Sequence, residues 1–119
     1  MEFDNQAIAF VDDDEDTINL FSYFLRENGY KVIGFNNPLL LLDYIFNHDN
    51  QFRLVLIDYK MPQITGCQLA NTIADINPRI KMVLINAVND IINNNLNLEL
   101  IHKPLRMSKL LHIVAKYMI

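Results

Sequence analysis

The chain has 119 residues, 51% hydrophobic and 20% charged, the balance of one folded domain rather than a disordered segment. Its formal net charge of -4 argues against non-specific binding to nucleic acid or to an anionic membrane surface, since both need an excess of Lys and Arg. The single cysteine, Cys67, excludes an internal disulfide, fits a reducing compartment, and itself reads as a small buried apolar side chain.

Met1 to Gln6 carries Glu2 and Asp4 and no basic run, so no secretory signal is expected. No apolar run approaches the ~20 residues that a membrane span needs. The expectation is a soluble, cytoplasmic protein forming one domain over residues 1–119.

Ala7–Val11 is a compact apolar run and reads as a buried strand. From Asp14 to Asn28, apolar residues recur at helical spacing (Ile18, Phe21, Leu25 and Leu20, Phe24), which predicts a helix with one buried face. Gly29 falls where a helix ends in the left-handed conformation. Lys31–Phe35 is rich in β-formers and predicts a second strand. Asn37 suits the cap of the next helix and Pro38 its first position, with the helix running from Leu39 to about Asn47. Leu54–Ile57 predicts a third strand. Gly66 to Ile76 reads as a helix closed by Asn77-Pro78. Ile80–Ile85 predicts a fourth strand. Asn89 to Asn97 is biased toward asparagine and predicts a surface loop with a short helix near 90–96. Leu98–His102 predicts a fifth strand, and Ser108 to Tyr117 a last helix with Leu110, Leu111, Val114 and Tyr117 on its apolar face.

Strands alternating with helices imply an α/β domain with a parallel sheet covered on both faces, a three-layer doubly wound architecture. Right-handed crossovers leave few topologies. Sites in such sheets form at the carboxyl ends of the strands. The polar residues there are Asp12 and Asp13 after the first strand, Asp58 after the third, Asn86 after the fourth and Lys103 after the fifth.

Carboxylates gathered on one rim repel unless a cation compensates them. A hard divalent ion with oxygen ligands suits that role, and Mg²⁺ prefers a few carboxylates, waters and a phosphate oxygen. Lys103 adds a fixed positive charge. Together these groups suit phosphoryl transfer to Asp58. Each has a blander reading when taken alone. The acidic run Asp12-Asp13-Asp14-Glu15-Asp16 is also a good helix cap, Asp58 an ordinary turn residue, and Lys103-Pro104 an ordinary strand exit. The combination is what caps and turns do not explain.

The motifs Phe10-Val11-Asp12-Asp13-Asp14-Glu15, Leu54 to Pro62 around Asp58, Gly66, and His102-Lys103-Pro104-Leu105 resemble those of response-regulator receiver domains, in the same order along essentially the whole chain. That resemblance implies a (βα)5 flavodoxin-like fold with five strands in the order 2-1-3-4-5. It implies Asp58 as phosphoacceptor and a Mg²⁺ site of Asp12, Asp13, Asp58 and the Lys60 backbone carbonyl. It also implies Lys103 on the phosphoryl oxygens and a cis Lys103-Pro104 bond. The donor would be a sensor histidine kinase or a histidine phosphotransfer protein. A downstream protein would dock on the face made by the fourth helix, the fifth strand and the last helix. No nucleic acid or membrane contact is expected of this domain, nor an output domain in the chain. It would be a monomer or weak homodimer, and no enzyme beyond its own phosphorylation and acyl-phosphate hydrolysis.

The sequence departs from that pattern in four places. Asn86 stands at the switch position, where Thr or Ser is usual. Leu100 stands where Tyr or Phe is usual. Only seventeen positions separate Asn86 from Lys103, several fewer than the resemblance implies. Arg106 stands where an acidic helix cap is usual. These departures keep open an alternative, an atypical receiver acting as a phosphorylation-independent protein-binding module. A Mg²⁺-dependent phosphatase using Asp58 fits less well, because Lys60 sits where its second acid/base carboxylate belongs.

Overall fold

The computed structural model describes residues 6–48 and 50–119. The stretch read above for a secretory signal lies, except for Gln6, outside the described residues.

Five strands form one parallel sheet: β1 (Ala7–Val11), β2 (Val32–Phe35), β3 (Phe52–Asp58), β4 (Lys81–Asn86) and β5 (Glu99–His102). Their order is β2-β1-β3-β4-β5, the order the resemblance implies. Four helices connect and cover them: α1 (Glu15–Glu27), α2 (Pro38–Asn47), α3 (Gly66–Ile76) and α4 (Met107–Tyr117).

The two faces of the sheet carry separate cores, because successive strand side chains point to opposite sides. Val11, Val55, Ile57 and Leu84 pack under α2 and α3, through Leu41, Ile45, Leu69 and Ile73. Ile8, Phe10, Leu54, Leu56 and Val83 pack under α1 and α4, through Ile18, Phe21, Leu25, Leu110 and Val114. Full burial of one such side chain contributes about 1.5–3 kcal/mol. These two apolar layers are why the central strands read as unbroken hydrophobic runs.

Local signals set the helix ends. Asp14 caps α1, its side chain accepting from the Asp16 N–H at 3.2 Å. At the other end the Gly29 N–H donates to Arg26 and the Tyr30 N–H to Leu25, with Gly29 at φ +92°. That pair of bonds returns the chain toward β2 and requires a residue tolerant of positive φ. Asn37 caps α2 with Pro38 in its first turn. Thr65 and Gln68 form a reciprocal capping box at α3.

One expected element is different. No helix forms over 90–96; residues 87–98 form an irregular loop with turns at 88–89 and 95–96. Asparagine amides compete with helical hydrogen bonds here. Asn94 Nδ2 donates to the Leu98 carbonyl at 2.8 Å, and Asn94 Oδ1 accepts from the Leu98 N–H at 2.9 Å. Asn97 adopts φ 55°, outside the helical region. The loop is fastened elsewhere too, by a 3.3 Å amide contact between Asn71 of α3 and Asn95. The face expected for a downstream partner therefore carries a loop in place of its fourth helix.

Candidate functional site

The site lies at the carboxyl ends of β1, β3 and β5. Asp58 is the last residue of β3, and Asp12, Asp13 and Lys103 follow β1 and β5 directly. Parallel pairing brings these ends to one rim, with Val11 beside Ile57 and Asp58 beside Ile85. Carboxylate oxygens of Asp12, Asp13 and Asp58 lie within 4.8 Å of one another. They open into a cleft of about 360 Å³, also lined by Thr17, Lys60 and Lys103.

The groups differ in exposure, and this sets their electrostatics. Asp12 is 4% exposed and Asp58 2%, whereas Asp13 faces solvent. Burial pushes the Asp12 carboxyl up from 3.8 to about 6; the Asp58 charge adds to this, while the Asp14 N–H, donating to Asp12 Oδ1 at 2.9 Å, opposes it. Burial also raises Asp58, against the pull of Lys103, with Asp13 and Asp90 adding repulsion.

Lys103 Nζ lies 2.9 Å from Asp58 Oδ1. The contact is an ion pair, and beyond it the buried Asp58 Oδ1 has no other partner. Burial would lower the Lys103 ammonium, but Asp58, Asp12 and Asp13 together raise it. The ion pair lowers Asp58, and desolvation of a carboxylate this deeply buried is the larger effect. The Lys103 ammonium thus faces three clustered carboxylates, two of them buried.

That excess of buried negative charge and hard oxygen donors fits a divalent cation. The residues present to hold one are Asp12, Asp13 and Asp58, with Lys60 also on the cleft wall.

Backbone placement of the acceptor is tight. The Gly66 N–H donates to the Tyr59 carbonyl at 2.7 Å. A Cβ on Gly66 would lie 2.8 Å from the Tyr59 Cα and 3.0 Å from the Asp58 carbonyl oxygen. Only glycine lets α3 start this close to the end of β3. The Lys103-Pro104 bond is cis, as the resemblance implies.

The structure does not bring every predicted residue to the cleft. Asn86 is 2% exposed and is not part of the cleft wall. Its Nδ2 donates to the Ala87 carbonyl at 3.0 Å and lies 3.2 Å from His102 Nδ1, while Oδ1 is buried without a partner. Sequence reasoning missed this His102 contact, and also Thr17, whose hydroxyl donates to Asp14 Oδ2 at 2.7 Å. It missed the strap from the Tyr59 hydroxyl to the Ile91 carbonyl, 3.0 Å, which ties the residue after the acceptor to the 87–98 loop. The register of Asn86 opposite His102 was the available signal for the first.

Comparison with known proteins agrees with the fold. The sequence profile of the response regulator receiver domain matches residues 8–115, and the chain belongs to that family. It is a receiver domain of two-component systems. The chain is 26% identical over 119 residues to the response regulator receiver protein CpdR of Brucella abortus (strain 2308), covering 96% of this chain and 98% of that one. It is 31% identical over 84 residues to the transcriptional regulatory protein ZraR of Klebsiella oxytoca, covering 71% of this chain but 18% of that protein. In fold it is similar to a CheY-like receiver domain protein from Methanospirillum hungatei JF-1, with a TM-score of 0.85 at 24% identity, covering 95% of this chain and 93% of that one. No helix among the described residues is long and apolar enough to cross a membrane.

Proposed function

We propose that this receiver takes a phosphoryl group on Asp58 from a phosphohistidine of a sensor histidine kinase or histidine phosphotransfer protein. The observation that carries the reading is the placement of a buried Asp58 carboxylate 2.9 Å from Lys103 and beside Asp12 and Asp13. Asp12, Asp13, Asp58 and the Lys60 backbone carbonyl would hold Mg²⁺. Bound there, the ion would supply positive charge against the carboxylates and the transferred oxygens.

In transfer, an Asp58 carboxylate oxygen attacks phosphorus, and the phosphorus–nitrogen bond breaks with its electron pair leaving on the imidazole. The Lys103 ammonium meets a phosphoryl oxygen in place of the Asp58 oxygen it now holds. Hydrolysis reverses the modification: water attacks phosphorus, and the acyl oxygen returns to Asp58 as a carboxylate. Asn86 would offer amide N–H donors to a phosphoryl oxygen once it releases Ala87 and His102.

The test is intact-mass measurement after incubation with Mg²⁺ and a small phosphoramidate. One phosphoryl group is expected on the native chain and none on Asp58→Asn. Labelling that survives in the variant removes Asp58 from its role. The alternative, a phosphorylation-independent binding module of the same fold, is favoured by the loop in place of the fourth helix and by the engagement of Asn86 with His102. It predicts no labelling of the native chain under the same conditions.

A further inference from the structure

β2 lies at one edge of the sheet, and its pairing phase shows which backbone groups are free. The Ile8 N–H donates to the Lys31 carbonyl at 2.8 Å, and the Asp12 N–H to the Phe35 carbonyl at 3.1 Å. In a parallel ladder, alternate residues bond to the same neighbour. Lys31, Ile33 and Phe35 therefore face β1, and Val32, Gly34 and Asn36 turn their N–H and C=O groups outward. The Val32 carbonyl accepts from Arg26 Nη2 at 2.7 Å. Among the described residues, nothing covers the outward groups of Gly34 in this way. A Cβ on Gly34 would run into Ile18 of α1, so glycine is what lets the helix close over this strand and leaves the middle of the edge bare.

A cleft of about 270 Å³ follows this edge, lined by Glu15 and Arg26 of α1, by Gly34 and Asn36, and by Leu40 of α2. A helix that joins parallel strands runs antiparallel to them. The last turn of α1, with Arg26, therefore lies over the start of β2, and its first turn, with Glu15, lies toward Asn36 at the end. The edge thus carries a positive charge at one end and a negative charge at the other. Among the described residues, neither Glu15 nor Arg26 has an ion-pair partner. On the opposite face Leu40 is 56% exposed.

We infer that the β2 edge is an interface between two copies of this chain, whose β2 strands pair antiparallel about a two-fold axis at Gly34. An exposed edge is a template for another strand, and the phase fixes the register. Residues that turn outward exchange two hydrogen bonds with the residue opposite. Gly34 therefore pairs with its own counterpart, and Val32 with Asn36 of the second copy. That register carries Arg26, held on the Val32 carbonyl, to Glu15 of the second copy, and the contact forms twice, as a two-fold requires. The Val32 carbonyl has a second lone pair for the incoming N–H, so Arg26 keeps its place. The axis stands perpendicular to the sheet, so α1 approaches α1 on one face and Leu40 approaches Leu40 on the other, and the sheet grows from five strands to ten. The β5 edge lacks this self-complementarity: its groove carries Arg106 and Lys109 and no acidic residue, so two copies repel there. The inference goes beyond the proposed function and does not require phosphoryl transfer.

The test is sedimentation velocity of the full chain from micromolar to millimolar concentration, with hydrogen exchange followed over the same range. A reversible dimer is expected, with exchange at the Gly34 and Asn36 amides slowing as it forms. Glu15→Arg and Arg26→Glu should each weaken dimerisation at least about tenfold, because like charges then meet twice across the axis. An equimolar mixture of the two variants should dimerise again, since each offers the other the opposite charge at both contacts. Asp58→Asn should dimerise as the native chain does. A native chain that stays monomeric at millimolar concentration overturns the inference. So does a dimer indifferent to both reversals, or a pair of variants that remains apart when mixed. Slowed exchange on β5 and α4 in place of β2 assigns the dimer to another face and overturns it as well. The exchange measurement on the native chain needs no variant to fold. Labelling of Asp58 is read separately, so failure here is distinguishable from failure of the phosphoacceptor reading.

Discussion

Replacing Asp12 with asparagine isolates the electrostatic cost built into the site. The substitution keeps an Oδ1 acceptor for the Asp14 N–H and removes a charge that is 4% exposed. In the folded chain the Asp12 carboxyl titrates at about 6, against 3.8 in an ordinary environment. A raised folded value means that the native state holds a proton the unfolded state has released. Stability is therefore lost as pH rises from the unfolded value through the folded one, and the full penalty is present above about pH 6. Raising the carboxyl from 3.8 to about 6 corresponds to a cost of about 3 kcal/mol at neutral pH. Asp12→Asn should stabilise the Mg²⁺-free domain by up to that amount, a rise in Tm on the order of 10 °C. The gain should fall to about half at pH 5 and be nearly gone at pH 4. Urea unfolding in a chelating buffer at these pH values measures it. Mg²⁺ should narrow the gap by stabilising the native chain more than the variant. A variant less stable than the native chain at neutral pH, or a gap independent of pH, would refute the reasoning.

Other outcomes follow from single contacts. Gly66→Ala drives a Cβ into the Tyr59 backbone, so urea unfolding should show a loss of roughly 1–3 kcal/mol, with slower labelling of Asp58 because the end of β3 must move. Lys103→Met removes the cation that lowers Asp58, so the pH profile of labelling by a small phosphodonor should shift to higher pH, as more base is needed to form the carboxylate; an unshifted profile would separate the two groups. Asn94→Ala frees both backbone groups of Leu98. It should cost roughly 1–2 kcal/mol in urea unfolding and speed hydrogen exchange at the Leu98 amide.

The departures from the family pattern acquire a physical form in the folded chain. The short interval between Asn86 and Lys103 is met by omitting a helix, and the asparagines read as a loop signal become its fastenings. Asn94 closes on Leu98, and Asn95 reaches Asn71 across to α3. The loop is tied to the residue after the acceptor by the hydroxyl of Tyr59 on the Ile91 carbonyl, and the charge of Asp90 acts on Asp58. Asn86 is tied to β5 through His102 rather than turned into the cleft. Arg106 precedes α4 with no side-chain cap, as its chemistry implies.

The sequence by itself determined the strands, the four helices and the rim of Asp12, Asp13, Asp58 and Lys103. Those signals are local: apolar runs buried on both faces, helical spacing, Asn37-Pro38 at a helix start, and Gly29 at a helix end. Strand ends in a parallel sheet share one side whatever lies between them, so the acidic cluster was legible as well. Only the tertiary structure decided the fate of 90–96, the partner of Asn86, the burial that raises Asp12, and the uncovered edge of β2. Each depends on groups distant in the chain that meet only once the sheet is assembled, as Asn86 meets His102 and Tyr59 meets Ile91. A weak local helix preference loses there to side-chain amides offering the backbone better-placed partners.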